Sequence, residues 1–310
     1  MTPARDHGGG LDSAITRYGG TRADWLDLST GINPQPYPVG SVSSDAWASL
    51  PDKAAFDALE AAARDFWSVP KGAAVLAAPG ASSLIARIPA LAPPGRVQID
   101  TPTYNEHAAA FVGAGWELGQ GGDARVLVHP NNPDGRLWPS SVIDAPLTVI
   151  DESFCDVVLG ASHMKHATRP GTLILKSFGK FWGLAGLRLG FAIGDPALVE
   201  KLRETLGPWQ VSGPALSIGT VALSDMQWAN ATRQRLGLDT ERLDAMVLGR
   251  GAQLRAGTSL FRLYEVDDAA KWQKRLAKGR VWSRVFPYSK TWLRLGLPAP
   301  DRWGQLEGAL

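Results

Sequence analysis

Between Lys71 and Ile193 the chain repeats one rhythm, in which a short apolar run closed by turn residues is followed by a stretch long enough for a helix. The runs are Ala73 to Ala78, Arg96 to Ile99, Arg125 to Val128, Leu147 to Ile150, Thr172 to Leu175 and Leu187 to Ile193. Ala81 to Leu91 and Tyr104 to Gly113 are two of the helix-length segments between them. Strands alternating with helices predict a mostly parallel sheet covered on both faces, because a parallel crossover lays its helix on the sheet. In such a sheet ligands gather at the carboxyl ends of the strands. The fold class is therefore α/β, and chemistry is expected where the apolar runs stop.

The flanks differ. Residues 1–40 are rich in Gly, Pro, Asp, Ser and Thr and cannot build a core alone, so they are expected to drape as an arm over the body or a partner subunit. Asp52 to Trp67 places Phe56, Leu59, Ala63 and Phe66 at helical spacing. After Asp195 the pattern turns helical, over Pro196 to Leu206 and from Pro214 to about Arg250. Arg262 to Val266, Gly279 to Phe286 and Thr291 to Leu295 then read as short strands. The layout predicted is an arm over 1–40, a large α/β domain over 41–215 and a small C-terminal α+β domain over 216–310.

With 45% hydrophobic and 20% charged residues the composition is that of a globular protein and excludes disorder. The 32 basic and 30 acidic residues do not make the surface of a dedicated nucleic-acid binder. Cys155 is the only cysteine, which excludes an intrachain disulfide and suits a reducing compartment. Met1 to Ser13 lacks the apolar core of a signal peptide. Ala73 to Gly95 is broken by Pro79, Gly80, Arg87 and Pro89, against a membrane span. A cytoplasmic protein is expected, without a metal, membrane or nucleic-acid partner.

The residues suited to chemistry sit at the ends of the predicted strands. Gly80-Ala81-Ser82 opens a helix, where free N–H groups could hold a phosphate, although taken alone the segment reads first as an ordinary strand-to-helix turn. His129-Pro130-Asn131-Asn132-Pro133-Asp134-Gly135 is by default a turn. Asp151-Glu152 closes the run Leu147 to Ile150, and a carboxylate at the lip of a buried strand needs a partner such as a cationic ring nitrogen. In Lys176-Ser177-Phe178-Gly179-Lys180 through Gly190, two lysines and Arg188 stand among glycines and large apolar residues. A lysine desolvated there has a lowered pKa and can act as a nucleophile towards carbonyls; the bland reading is a solvated lysine on a glycine-rich loop. A nucleotide-type phosphate loop fails, since Ile174 and Phe181 stand where that motif needs glycine and Ser or Thr.

Taken together, these motifs resemble the fold-type I enzymes that use pyridoxal 5'-phosphate, in the branch containing histidinol-phosphate aminotransferase. The order carries the resemblance: glycine-rich turn, Pro102-Thr103-Tyr104, Asn131-Asn132-Pro133-Asp134-Gly135, Asp151-Glu152-Ser153-Phe154, Ser177 to Lys180, and Gly186-Leu187-Arg188-Leu189-Gly190. It implies an aspartate aminotransferase-like fold in which Lys180 bonds covalently to the cofactor and later moves protons. Arg188, Ser177, Gly80, Ala81 and Ser82 would bind the cofactor phosphate, which bidentate guanidinium recognition suits. Asp151 would pair with the pyridine nitrogen, Asn132 would bond the phenolic oxygen and Tyr104 would stack on the ring. Lys176 precedes the pattern and is read as structural. Within Trp292-Leu293-Arg294-Leu295-Gly296, Arg294 would grip the substrate carboxylate. The pattern departs at Phe154, where many aminotransferases of this branch have tyrosine, and at Gly179, which replaces a polar residue.

His7-Gly8-Gly9, followed by Leu28-Ser29-Thr30-Gly31-Ile32-Asn33-Pro34, is similar to the start of the L-threonine O-3-phosphate decarboxylases of cobalamin biosynthesis, apart from Gly10 where their arm has Asn. That resemblance implies loss of carbon dioxide from L-threonine O-3-phosphate to leave (R)-1-amino-2-propanol O-2-phosphate, with substrate orientation rather than a new catalytic group deciding the outcome. His7, Asn33 and Arg294 are the candidates near the substrate. The alternative is histidinol-phosphate aminotransferase or a related aminotransferase. A regulator built on a decayed enzyme fold is disfavoured because the lysine, aspartate, asparagine and arginine positions are all filled. Family members are commonly homodimers, so a homodimer is expected.

Overall fold

The structure is a computed structural model that describes residues 6–310. Its strands are β1 (Leu26–Asp27), β2 (Ala74–Ala78), β3 (Arg96–Ile99), β4 (Glu117–Leu118), β5 (Ala124–Val128), β6 (Leu147–Asp151), β7 (Thr172–Ser177), β8 (Gly190–Gly194), β9 (Gln253–Thr258), β10 (Phe261–Glu265), β11 (Val281–Trp282), β12 (Arg284–Phe286) and β13 (Ser289–Gly296). The described chain divides into two compact units. One holds Tyr37–Asn132 and Arg136–Asn230; the other gathers the chain up to Pro36 with Pro133–Gly135 and Ala231–Leu310.

The larger unit is built on a seven-stranded sheet in the order β2-β8-β7-β6-β5-β3-β4. β7, β6, β5, β3 and β4 run parallel, and β8 is antiparallel to both of its neighbours. β6 and β8 are buried along their whole length, as a sheet covered on both faces requires. Leu76, Val97, Phe111, Val126, Val149 and Leu175 belong to one buried cluster with the flanking helices. Cys155 is buried just beyond β6, and burial followed by the nearby Glu152 carboxylate drives its thiol pKa far up.

Most predicted elements lie within a residue or two of their positions, and the differences have local causes. Leu187 to Ile193 does not begin as a strand, because Ala185–Leu187 is a single 3-10 turn and Arg188 takes a left-handed φ of 55°; the ladder starts at Gly190. Ala81 to Leu91 splits into a helix Ala81–Ile85 and a 3-10 turn Ile88–Leu91 carrying Pro89 at its start. The helical stretch after Pro214 divides at Asp225 into Gly213–Ser224 and Met226–Leu248, and the Asp225 carboxylate accepts from Trp228 N at 2.8 Å.

The smaller unit contains an antiparallel sheet in the order β12-β13-β10-β9 and a parallel pair β1-β11. The predicted strand Gly279 to Phe286 is thus two strands, β11 and β12, in different sheets. The arm forms a helix Leu11–Tyr18, and Leu11, Ala14 and Trp25 pack with Ala277 in a small core against which Trp282 also lies. Residues unable to form a core alone therefore share one with the C-terminal segment.

One close approach shapes the strand ends. Gly190 pairs with Ser177 on one side and Ala78 on the other. A Cβ at Gly190 would stand 2.5 Å from Ala81 N and 2.8 Å from Gly80 C. Only glycine lets the Gly80–Ala81 turn lie on β8. Gly190→Ala is expected to destabilise the protein by about 1–3 kcal/mol, the usual cost of overpacking, whereas Gly186→Ala, with nothing within 4 Å of its added Cβ, should change little. Thermal unfolding of both variants checks this.

Candidate active site

In the larger unit the predicted residues gather at the carboxyl ends of β2, β6 and β7 and in the loops beyond. The Gly80–Ser82 turn is held against Arg188: a Cβ at Gly80 would meet Arg188 Nη2 at 2.6 Å, and Nη2 donates to Ser82 Oγ at 3.0 Å. Arg188 Nη1 donates to Ala185 O at 3.2 Å. Ser177 ends β7, and its Oγ accepts from Gly179 N at 3.2 Å. A guanidinium, two hydroxyls and turn N–H groups assembled around glycines form a cradle suited to a phosphate.

Asp151 ends β6 and is buried. Its Oδ1 accepts from Ser153 N at 3.0 Å and from Ser153 Oγ at 2.5 Å, and its Oδ2 lies 2.9 Å from His107 Nε2. Burial pushes the carboxyl upward, but His107 and Ser153 together hold it below its ordinary value. The result is a buried carboxylate that is ionised and aimed, as a cationic ring nitrogen requires. Tyr104 meets the His107 ring edge to face at 6.1 Å. Asn132 occupies the turn after β5, half-buried. Its neighbour Asn131 ties that turn to the Pro102–Tyr104 loop, accepting from Thr103 Oγ1 at 2.6 Å and donating to Pro102 O at 3.1 Å.

Lys180 sits in a loop fixed by its neighbours. Phe178, Phe181 and Trp182 are all fully buried, and Trp182 stacks with Phe178 at 5.1 Å and with Trp228 at 5.3 Å. Phe178 O accepts from Leu184 N and Lys180 O from Gly183 N, each at 3.1 Å. The chain between these anchors has no apolar side chain left to bury, and the half-buried Lys180 carries its Nζ 5.3 Å from the Phe154 ring centroid. Phe154, buried, supplies an apolar face and no hydrogen bond.

Lys176 is differently placed. Fully buried, its Nζ lies 2.7 Å from Glu152 Oε2 and 3.2 Å from Asp156 Oδ1. Glu152 also accepts from Ser162 Oγ and His163 N. Burial opposes the Lys176 charge, but the two carboxylates raise its pKa above the ordinary value, so the ammonium is locked into a structural triad.

The smaller unit holds the remaining candidates. Arg294, in β13, is buried, donates to Ser29 O at 2.6 Å and lies 5.0 Å from the Phe261 ring centroid. Gly296 N donates to Leu28 O at 2.6 Å, so the arm motif folds onto the strand that carries Arg294. Asn33 is buried, and its Oδ1 accepts from Arg235 Nη2 at 2.7 Å and Gln35 N at 3.0 Å. His7 is exposed, at the start of the Gly8–Gly10 run. Two residues absent from the sequence reading join the set. His107 partners Asp151, and Arg284 in β12 stands directly opposite Arg294 in the ladder. A histidine within an apolar helix has no diagnostic spacing, and Arg284 becomes a neighbour of Arg294 only through the hairpin.

Residues 120–302 match the aminotransferase class I and II family. A threonine-phosphate decarboxylase of Sinorhizobium sp is 41% identical over 96% of this chain and 94% of its own, and one of Pseudomonas aeruginosa is 36% identical over 98% and 97%. Among solved structures, histidinol-phosphate aminotransferase from Sinorhizobium meliloti in complex with pyridoxal-5'-phosphate superimposes with TM-score 0.83 at 16% identity, covering 100% of this chain and 96% of that one. L-threonine-O-3-phosphate decarboxylase from Porphyromonas gingivalis gives 0.73 at 17%, covering 91% and 97%.

Lys176→Met is expected to cost about 3–5 kcal/mol at neutral pH, because it strands buried carboxylates. Burial alone raises the Glu152 carboxyl, and Lys176 is the first of the groups that hold it down. Without the ammonium the folded pKa of Glu152 rises above its wild-type value, so the variant takes up the proton at higher pH than wild type and the stability lost through the substitution shrinks as the pH falls. Urea unfolding should show a gap between wild type and variant that narrows from pH 7 to pH 5.

Proposed function

The chain belongs to the class I and II aminotransferase family, and we propose that this member uses pyridoxal 5'-phosphate to decarboxylate L-threonine O-3-phosphate to (R)-1-amino-2-propanol O-2-phosphate in cobalamin biosynthesis. Near-full-length similarity to relatives named threonine-phosphate decarboxylase supports the substrate. The observation that carries the reading is the pairing of Arg294 with Arg284 on adjacent strands beneath the arm motif. Two guanidinium groups side by side suit a substrate with two anionic groups, a carboxylate and a phosphate.

The residues in the larger unit fit the cofactor. Arg188, Ser177, Ser82 and the Gly80–Ala81 turn would hold its phosphate, since that cradle has room only where side chains are missing. Asp151, oriented by His107, would face the pyridine nitrogen; Tyr104 would lie against the ring, and Asn132 would bond its phenolic oxygen. When bound, the cofactor supplies an aldehyde that captures an amine and a cationic ring that accepts the electron pair left as carbon dioxide departs.

This chain's own groups do the rest. Asp151 keeps a positive charge favourable in a buried setting. Lys180 Nζ provides the amine for covalent attachment and carries protons at the substrate α-carbon. Arg294 holds the substrate carboxylate, and the orientation it sets together with the phosphate contact decides whether the bond from the α-carbon to the carboxylate or the bond to hydrogen breaks. Arg284 takes the substrate phosphate, with His7 and Asn33 shaping the arm beside it. Phe154 leaves the flank of Lys180 dry and without a donor. Among the described residues no helix is long and apolar enough to cross a membrane; a cytoplasmic homodimer completes the reading, on the strength of the family resemblance.

The test is to give the holoenzyme L-threonine O-3-phosphate and measure carbon dioxide and keto acid together. Carbon dioxide without keto acid is expected; turnover of histidinol phosphate with 2-oxoglutarate, and none of threonine phosphate, would favour the aminotransferase alternative. Lys180→Ala should lower turnover by at least about a thousandfold and abolish borohydride labelling of the peptide around position 180.

A further inference from the structure

The arm brings a carboxylate of its own to the paired arginines. Arg284 and Arg294 are register partners on β12 and β13, so two like charges share one face of the sheet, an arrangement that is unfavourable unless an anion joins them. Asp6 supplies one: its Oδ2 lies 2.8 Å from Arg284 Nη2, with the Arg284 side chain 12% exposed and the Asp6 side chain 42% exposed. Burial and then Arg284 weigh against the Arg294 charge, whereas Tyr288, Asp27 and Asp6 favour it. The same carboxylate thus bonds Arg284 and serves both guanidinium groups electrostatically.

The stem that presents Asp6 is tightly pinned. A Cβ at Gly8 would stand 2.5 Å from Ser29 O, so the chain passes there only as glycine. Gly9 N donates to Ser29 Oγ at 2.6 Å, and Trp282 Nε1 donates to Gly9 O at 2.9 Å. Ser29 in turn donates to Asp27 Oδ1 at 2.6 Å and accepts from Arg294 through its carbonyl. Fixed backbone two residues away, with an exposed carboxylate at its end, holds one anion at high effective concentration beside Arg284.

We propose that Asp6 is an intramolecular competitor for the phosphate anchor: its carboxylate occupies Arg284, gives way to the substrate phosphate, and returns to help expel the phosphorylated product. The inference rests on the reading of Arg284 as that anchor. The product has lost the carboxylate that Arg294 holds, so its phosphate is the remaining anionic grip, and a competing carboxylate weakens that grip when release is needed. The competitor lowers affinity for substrate and product alike, trading tight binding for release.

The test uses the holoenzyme, so that the Arg188 cradle already holds the cofactor phosphate, and inorganic phosphate as the probe. Removal of a partly exposed ion-pair partner predicts that Asp6→Asn binds phosphate about two- to fivefold more tightly by calorimetry, with a lower KM for threonine phosphate and stronger product inhibition. Asp6→Glu, which keeps the charge, should lie close to wild type. A purely structural tether predicts the opposite sign. Unchanged or weaker phosphate binding in Asp6→Asn, while Arg284→Ala abolishes it, overturns the competitor alone; phosphate binding indifferent to Arg284→Ala overturns both the competitor and the anchor on which it rests.

Discussion

The position of Lys180 depends on a stack of aromatic rings. Trp182 lies nearly parallel to both Phe178 and Trp228, with interplanar angles of 13° and 11°, and Phe181 meets Trp182 edge to face. Each large apolar side chain withdrawn from water contributes about 1.5–3 kcal/mol. A five-residue segment carrying three such side chains has little freedom to move. The half-buried Lys180 between them is positioned by neighbours that are themselves fully buried. A glycine-rich loop would ordinarily be the most mobile part of such a fold; here burial of the flanking rings converts it into a rigid support.

Around that support the charges are sorted by depth. Lys176 lies on β7 and is neutralised by Glu152 and Asp156, while Lys180 lies beyond the strand end, half-buried. The consecutive acids Asp151 and Glu152 diverge in the same way. Asp151 turns to His107, and Glu152 turns to Lys176. Side chains of successive residues along a strand point to opposite faces, which separates the two adjacent acids, while the lysines are separated because Lys176 lies within β7 and Lys180 beyond its end. Bonding of Glu152 by Lys176, Ser162 and His163 keeps a costly buried carboxylate satisfied.

Most of the sheet was legible because strands such as β2, β6 and β7 are largely apolar runs, and their ends pointed to Gly80, Asp151 and Ser177; β4, two exposed residues at the sheet edge, carries no such run. Other parts carried no comparable pattern. β9 is an exposed edge strand whose first three residues face solvent, so no apolar alternation announces it. The break at Asp225 depends on one side chain capping the next helix, which a hydrophobic period does not register. The start of β8 at Gly190 follows from the left-handed Arg188, a conformation rare for a residue with a side chain and adopted here as its guanidinium reaches Ser82. His107 and Arg284 escaped because each acquires its partner through the fold: His107 meets Asp151 across 44 positions, and Arg284 meets Arg294 across a hairpin.

The solitary thiol has a practical corollary. Cys155 is sealed beyond β6, and its pKa is driven up by burial and by Glu152, so the reactive thiolate form is suppressed. Thiol-directed alkylating reagents therefore find no accessible native cysteine in the folded protein. A cysteine engineered at an exposed position, on the arm for instance, becomes a single attachment point for a fluorophore or spin label, and no wild-type residue has to be removed first.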